Sequence, residues 1–418
     1  MWRDHQEPPA PSAVSAVPDW TAYRERAQAA GRQFVADVER VLPVIRAGRD
    51  ISEREGKVAQ ASVDAMVEIG VFRALTPIQF GGLEMDPSAF FEGIIRIGSA
   101  DPSAAWIGGQ LTIHSFEIAL MDERMQREFW GQSPDTRASS SYAPLGQAEP
   151  VEGGHVLNGT WTFSSGIDHA TWVILGGRHN NYVVPTTDLG IDHDSWKVQG
   201  LKGTGSKSVT LRDVFVPAYR THSLEDHFHD REPGMAINNR PLYQMSWRGM
   251  FNAIMPNSAI GMTEGGLQEF IDQTRRRSGQ QGTGSPVVNN PFMQIRLAKA
   301  LTQVRGVHLR QVDNWRMLFE MACRNEQPSR AERMRVRYEA SDAAGTCFEA
   351  FCEMWPHAGA GAIAEGNPLQ NAFRDLMAMR NHGSAGRDAA AGMYVAALFD
   401  LPLPPIKGFD MGSVAIYK

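Results

Sequence analysis

The chain has 418 residues, and its 41 Lys and Arg against 47 Asp and Glu leave a net charge of −6, without the basic excess of a general nucleic-acid binder. Its 42% hydrophobic and 21% charged content excludes a disordered chain, and no run approaches the roughly 18 apolar residues of a membrane helix. Three cysteines without a CxxC pair exclude a disulfide framework or a cysteine-built zinc site and point to reduced, cytoplasmic thiols.

Two to four compact units are expected at roughly 100–200 residues each. Residues 1–19 form a polar, Pro-rich tail (PPAPSAVSAVPD) that lacks the apolar centre of a signal peptide. The stripe Val63, Met66, Val67, Val71, Leu75 predicts an amphipathic helix over 61–75, broken by Phe80-Gly81-Gly82. Pro87 opens a second helix carrying Phe90, Phe91, Ile94 and Ile95, and Ser103 is placed to cap a third through Trp106, Leu111, His114 and Met121.

From Ser139 to Pro217 the pattern turns to short β-type runs. Gly153-Gly154 and Asn158-Gly159 are hairpin candidates, and strands are predicted over Trp161–Phe163, Thr171–Leu175, Tyr182–Val184 and Val209–Val216. A polar connecting loop is expected over 218–240. Helical periodicity returns in segments near 258–277, 291–325, 328–355 and 368–398, and four long helices joined by short loops suggest an antiparallel bundle.

Several motifs fail on inspection. Gly200–Lys207 resembles a phosphate loop, but Ser206 and Lys207 stand in exchanged positions and a strand follows. No GxGxxG follows a strand. His222, Asp226, His227, His229 and Asp230 have ligand chemistry for zinc or iron, yet they fall in a polar stretch without regular spacing and are read as a solvated loop. No metal site is therefore expected. Arg275-Arg276-Arg277 reads as cations at a helix C-terminus. Harder to dismiss together are His114 on an apolar helix, Ser139-Ser140-Ser141, Ser164-Ser165-Gly166 after a strand, and Asn381-His382-Gly383 interrupting the last helix.

This layout resembles the acyl-CoA dehydrogenase fold. The implied architecture is α+β and mostly α, with an N-terminal helical domain (20–135), a central small β-barrel or sandwich domain (136–235) and a C-terminal four-helix bundle (240–418). Trp196–Ser206 (WKVQGLKGTGS) and Val209–Pro217 (VTLRDVFVP) look like that superfamily's β-domain signature. Acyl-CoA dehydrogenases commonly place a Glu nine residues after the Arg of an Arg-Asp pair. Here the pair is Arg374-Asp375 and the ninth residue after Arg374 is Gly383. The strings Phe80–Met85, Ala138–Ser141, Ser164–Ala170 and Phe373-Arg374-Asp375 followed by His382 are instead similar to the flavin-dependent oxygenase components of two-component aromatic hydroxylases, 4-hydroxyphenylacetate 3-hydroxylase above all.

That resemblance implies roles. His114, on the helix after Ala105-Trp106, and Ser140 contact a substrate hydroxyl. Ser165 and His382 lie at the reactive edge of the flavin. Ser165, Arg248, Arg277 and Trp106 bind the cofactor, Arg248 offsetting the charge of reduced FMN or FAD and Arg277 reaching its phosphate. The implied chemistry is addition of O2, the co-substrate, at flavin C4a, followed by transfer to a phenol- or indole-type ring. A His of ordinary pKa near 6.5 acts as base. Reduced flavin comes from a separate NAD(P)H-dependent reductase, and a homotetramer is implied. The surroundings of Arg248 (Ser246-Trp247-Arg248-Gly249-Met250) and of His382 (followed by Gly-Ser-Ala-Gly-Arg) depart from the hydroxyphenylacetate enzymes and point to a different substrate pocket. An acyl-CoA dehydrogenase-like flavoprotein, an N-oxygenase of the same fold and an inactive flavin-binding bundle are the alternatives.

Overall fold

The computed structural model describes residues 18–229, 231–277 and 286–402. Asp230 of the polar cluster, all but the end of the N-terminal tail and the last part of the 240–418 segment lie outside them.

The first helix, α1 (Thr21–Glu55), is followed by α2 (Gln60–Glu68), α3 (Pro87–Ala100), α4 (Pro102–Ala119) and α5 (Glu123–Trp130). The 35-residue α1 escapes the sequence reading because its buried stripe mixes small residues (Ala27, Gly31, Gly48, Ser52) with Phe34, Val38 and Ile45, and it carries Pro43 in its interior. The helix predicted over 61–75 stops at Glu68, since Gly70 turns left-handed and Val71–Arg73 tighten into a 3-10 turn. The cap of α4 is Asp101 rather than Ser103: its carboxylate accepts from the Ser103 and Ala104 amides, with Pro102 at the first helical position.

Strands β1 (Ala138–Ser141), β2 (Gln147–Val151), β3 (Gly154–Ser164), β4 (Trp172–Gly176), β5 (Asn180–Pro185), β6 (Gly190–Asp192), β7 (Lys207–Pro217) and β8 (Thr221–Ser223) follow. Among the described residues they form two sheets, ordered β1-β4-β5-β8 and β2-β3-β7-β6. Gly153 does turn the β2–β3 hairpin, but Asn158-Gly159 lies inside β3 as an irregularity in its pairing with β7, and the Asn158 amide bonds to Asp213. Side chains alternate across a strand, so the first sheet serves two cores. Val173, Leu175, Tyr182 and Val184 face the second sheet, whereas Ala138, Ile174 and Val183 join the helical core.

The stretch expected as a loop over 218–240 is largely structured, with β8, α6 (Leu224–Phe228) and α7 (Pro233–Ile237). The bundle comprises α8 (Trp247–Asn252), α9 (Ile254–Arg276), α10 (Pro291–Cys323) and α11 (Arg330–Met354), then α12 (Pro368–Arg380) and α13 (Arg387–Leu398), which are separated by the turn bearing His382. One apolar cluster runs from Tyr23 to Met379 and joins both helical segments. Where α3 meets α9, a Cβ on Gly261 would stand 2.2 Å from the Ile95 carbonyl oxygen, so the two backbones touch only because position 261 has no side chain. Among the described residues no helix is long and apolar enough to cross a membrane.

Candidate active site

The site forms where α4 crosses β1. Ala138 faces the helical core, and the two-residue period of the strand places Ser140 on that same face. Ser139 and Ser141 point the other way, donating to the carbonyls of Ser165 (2.9 Å) and Thr162 (2.6 Å) and fastening the two sheets together. His114 of α4 is 1% exposed. Its Nδ1 lies 2.6 Å from the Ala138 carbonyl, which can only accept, so Nδ1 carries the proton. Burial pushes its pKa below the ordinary value. The outcome is a neutral imidazole whose Nε2 lone pair is buried and has no partner.

Two turns earlier on the same helix, about 12 Å along its axis, Trp106 donates to the Ser165 hydroxyl at 3.1 Å. Ser165 bonds to Ser206 at 2.7 Å, Ser206 to Thr204 at 2.8 Å, and Thr204 donates to the Leu201 carbonyl at 2.8 Å. That terminal acceptor sets the direction of the chain. Thr204 spends its proton on Leu201, Ser206 on Thr204 and Ser165 on Ser206, which leaves Ser165 one acceptor lone pair. Gly166, at φ +72°, lets the turn after β3 approach Leu111 and Ile107 of α4. His382 packs edge-on against Trp106, centroids 5.2 Å apart. Its Nδ1 accepts from the Ser384 amide, so the proton sits on Nε2, and burial lowers its pKa. Ser384 in turn bonds to Asn252 at 3.1 Å, tying this turn to α8.

Trp106, Ser165 and His382 are thus brought together, and His114 and Ser140 share the next part of the same wall. Arg248 of α8 lines a cavity of about 330 Å³ with Asn252, Met245 and Trp315, within the size range of small-molecule sites. None of the other predicted site residues borders that cavity. Arg277 stands apart. It follows the 23-residue α9 and donates to the carbonyls of His357 (2.8 Å) and Ala358 (3.1 Å). It lies at the far end of a helix roughly 34 Å long from Arg248.

Two residues of this wall were missed. Tyr142 follows the serine triplet on the same strand face as Ser140, packs against His114, Trp247 and Phe251, and donates to Glu117. Burial and the Glu117 charge raise its phenol well above the ordinary value, Ser140 acting in the opposite direction. Glu117 is 0% exposed and three residues after His114, a lone carboxylate on a buried helix that should have drawn notice. Burial alone would raise its pKa, but the hydrogen bond and charge of His222 bring it below the ordinary value.

The reading of the polar stretch as a solvated loop is overturned for its two key histidines. His222 and His227 are 2% and 4% exposed, because β8 adds to the first sheet and α6 folds His227 back onto Trp247. Burial, followed by the neighbouring His222, drops the His227 pKa to about 3.

The residues fit an aromatic substrate beside a flavin. His114 Nε2 is buried without a hydrogen-bond partner, Ser165 retains an acceptor, and the rings of Tyr142 and of Trp106 and His382 pack at these two groups. A helical body enclosing a β sandwich, with this site and glycine at position 383, defines an acyl-CoA dehydrogenase-fold flavoprotein built for oxygen chemistry. Residues 253–386 match the family model described as acyl-CoA dehydrogenase, C-terminal domain. The chain belongs to the flavin-dependent monooxygenases, as an oxygenase component. It is 32% identical over 375 residues to the oxygenase subunit HsaA of Rhodococcus jostii, spanning 88% of this chain and 98% of that one. It is 29% identical to the oxygenase component of p-hydroxyphenylacetate 3-hydroxylase from Acinetobacter baumannii, over 86% of this chain and 87% of the other. Among solved structures, the 3-HSA hydroxylase of Rhodococcus sp. RHA1 superimposes with a TM-score of 0.84 at 30% identity, covering 89% of this chain and 98% of that one.

Proposed function

We propose that this chain hydroxylates a phenol- or indole-type ring, with His114 as the base that takes the proton of the substrate's hydroxyl or ring N–H. The observation that carries this reading is the orphaned Nε2 of His114: a neutral, buried lone pair with its tautomer held by the Ala138 carbonyl. A donor on the substrate completes that nitrogen, and Ser140, on the same strand face, orients it. Removing the proton raises electron density on the ring. General-base help of this kind is worth about 10²–10⁴-fold.

Reduced FMN or FAD, delivered by a separate NAD(P)H-dependent reductase, supplies the electrons and activates O2 when bound. Ser165 offers it a hydrogen-bond acceptor, Trp106 and His382 wall it from water, and Arg248 balances its negative charge. His382 presents an Nε2–H donor. Such a site contributes position, dryness and hydrogen bonds.

Arg248 precedes α9 and Arg277 follows it, so the two stand at opposite ends of a helix roughly 34 Å long. We assign Arg277 to the cofactor of a neighbouring copy, which makes the working form an oligomer, a homotetramer in our reading. Phe292, Ile295 and Leu309 of α10 are 71%, 68% and 57% exposed and supply an apolar face for that association. Segments 20–135, 136–235 and 240–418 then act as one catalytic body in the cytoplasm.

The test supplies the protein with a generic flavin reductase, FMN or FAD, NADH and O2 against a panel of phenols and indoles. Hydroxylated product in near-stoichiometric yield on flavin oxidised is expected with at least one compound class. Reduction of bound flavin by an acyl-CoA, without any oxygenated product from the panel, would overturn the reading.

A further inference from the structure

Around Glu117, which receives the Tyr142 hydroxyl, four titratable side chains are packed out of solvent. Glu117, His222, His227 and Glu232 are each no more than 4% exposed. His222 Nδ1 lies 2.9 Å from Glu117 Oε1, and His227 Nδ1 lies 3.0 Å from Glu232 Oε1. Two polar atoms of this group, His222 Nε2 and Glu232 Oε2, are buried without a hydrogen-bond partner, and His222 Nε2 stands 4.0 Å from Glu232 Oε1. Buried polar atoms left in this way are costly unless something satisfies them.

A neutral His222 that donates Nδ1–H to Glu117 leaves an Nε2 lone pair facing Glu232. This is the arrangement of a metal-binding imidazole whose far nitrogen is oriented by a carboxylate. One ligand atom each from His222, His227 and Glu232 lies within 4.8 Å of the others, the one such group among the described residues. Bonds of about 2.0–2.2 Å in a tetrahedral array set ligand atoms about 3.4 Å apart, so on binding the wider separations must close by up to about 1.4 Å while the 3.0 Å His227–Glu232 contact opens slightly. His227 also lines the 330 Å³ cavity, which gives an ion a route in.

We propose that His222, His227 and Glu232 bind one divalent cation of the zinc class, with Glu117 orienting His222 from behind. Two imidazoles and a carboxylate suit such a cation and leave a coordination position for water. Glu117 also receives the Tyr142 hydroxyl and the Asn181 amide, so the ion would brace the wall against which His114 packs.

The test takes the full chain, stripped with a chelator and dialysed against ZnCl2 or CoCl2. About one tightly held ion per chain is expected, with visible bands from Co2+ bound by nitrogen and oxygen and a thermal midpoint that rises with added Zn2+. His222→Gln and Glu232→Gln should weaken binding more than about 10-fold, and Glu117→Gln by about 10–100-fold. His308→Gln, at a separate His–Glu cluster, should leave it unchanged. If the stripped wild-type protein takes up no ion, gains no Co2+ bands and keeps its midpoint, the cluster is a hydrogen-bonded polar core and the proposal fails, whether or not the variants fold. Binding that survives intact in the His222 and Glu232 variants overturns it equally.

Discussion

In the proposed reading His114 and Ser165 divide the chemistry between two ends of one helix face, and they should fail differently when changed. His114→Gln keeps a donor toward Ala138 but removes the Nε2 lone pair. Product formation should fall by about 10²–10⁴-fold, while reduced flavin is still consumed and the difference leaves as hydrogen peroxide. Ser165→Ala cuts the hydroxyl chain at its first link and removes the acceptor. Measured as peroxide per flavin oxidised with substrate saturating, coupling should drop severalfold while substrate affinity stays within about a factor of two. Equal losses of coupling and substrate affinity in both variants would show that the two ends do not act separately. These four polar positions, including Ser140 and His382, were singled out because their types and neighbouring residues carry a resemblance, and their roles stand as proposals. Tyr142 was not, since only the contacts that bury it mark it out, whereas Glu117 carried a signal as the one carboxylate in the apolar sequence of α4.

Helices were readable wherever large apolar residues repeat, as in α3, and unreadable where small ones do the packing, as along α1. The same rule governs the crossing of α3 and α9. Gly261→Val drives a side chain into the Ile95 carbonyl and should cost about 1–3 kcal/mol in denaturant unfolding. These two helices are also joined to α10 by His308, whose nitrogens lie 2.7 Å from Glu92 and 2.8 Å from Glu264. Burial opposes the charge on His308, but hydrogen bonds and charges from Glu264 and Glu92 outweigh it and lift its pKa to about 9. A raised folded-state value means this contribution is complete below the ordinary pKa near 6.5 and is lost as pH rises through about 9. Unfolding midpoints should therefore fall between pH 6.5 and 9.5 more steeply in the wild type than in His308→Gln. Parallel pH profiles would remove His308 from the account.

The whole molecule is held by contacts that cross its three segments. Arg374 of α12 bonds to Glu53 of α1 (2.8 Å) and to the Gln199 carbonyl, while Asp375 accepts from the Leu201 amide at 2.6 Å. The Arg-Asp pair that served as a landmark for a missing catalytic base is thus the rivet between bundle, first helix and sandwich. Burial pushes Asp375 up to about 7, with Glu53 adding to the rise. For a carboxyl raised in the folded state, stability is complete below the ordinary 3.8 and is lost as pH climbs through about 7. Asp375→Asn can still accept from Leu201 and should be at least as stable as the wild type at pH 8, with a flatter profile between pH 4 and 7. A variant that is less stable at pH 8 would show that the ionised form is favoured. The three-part layout could be read from the alternation of helical and β-type periods, but this rivet could not, because its partners are 174 and 321 residues apart in sequence.

Strand β1 belongs to two cores at once, and this bears on how such an enzyme changes its diet. Positions 139 and 141 hold the sandwich together through their hydroxyls, while 138, 140 and 142 turn toward the helical core and the substrate side proposed for this wall. Mutational drift can thus be sorted by parity: every second residue is free to follow a new substrate, and the ones between stay under constraint from a different part of the protein. A lineage could retool this wall by substitutions at even numbers alone, without renegotiating how its two halves fit.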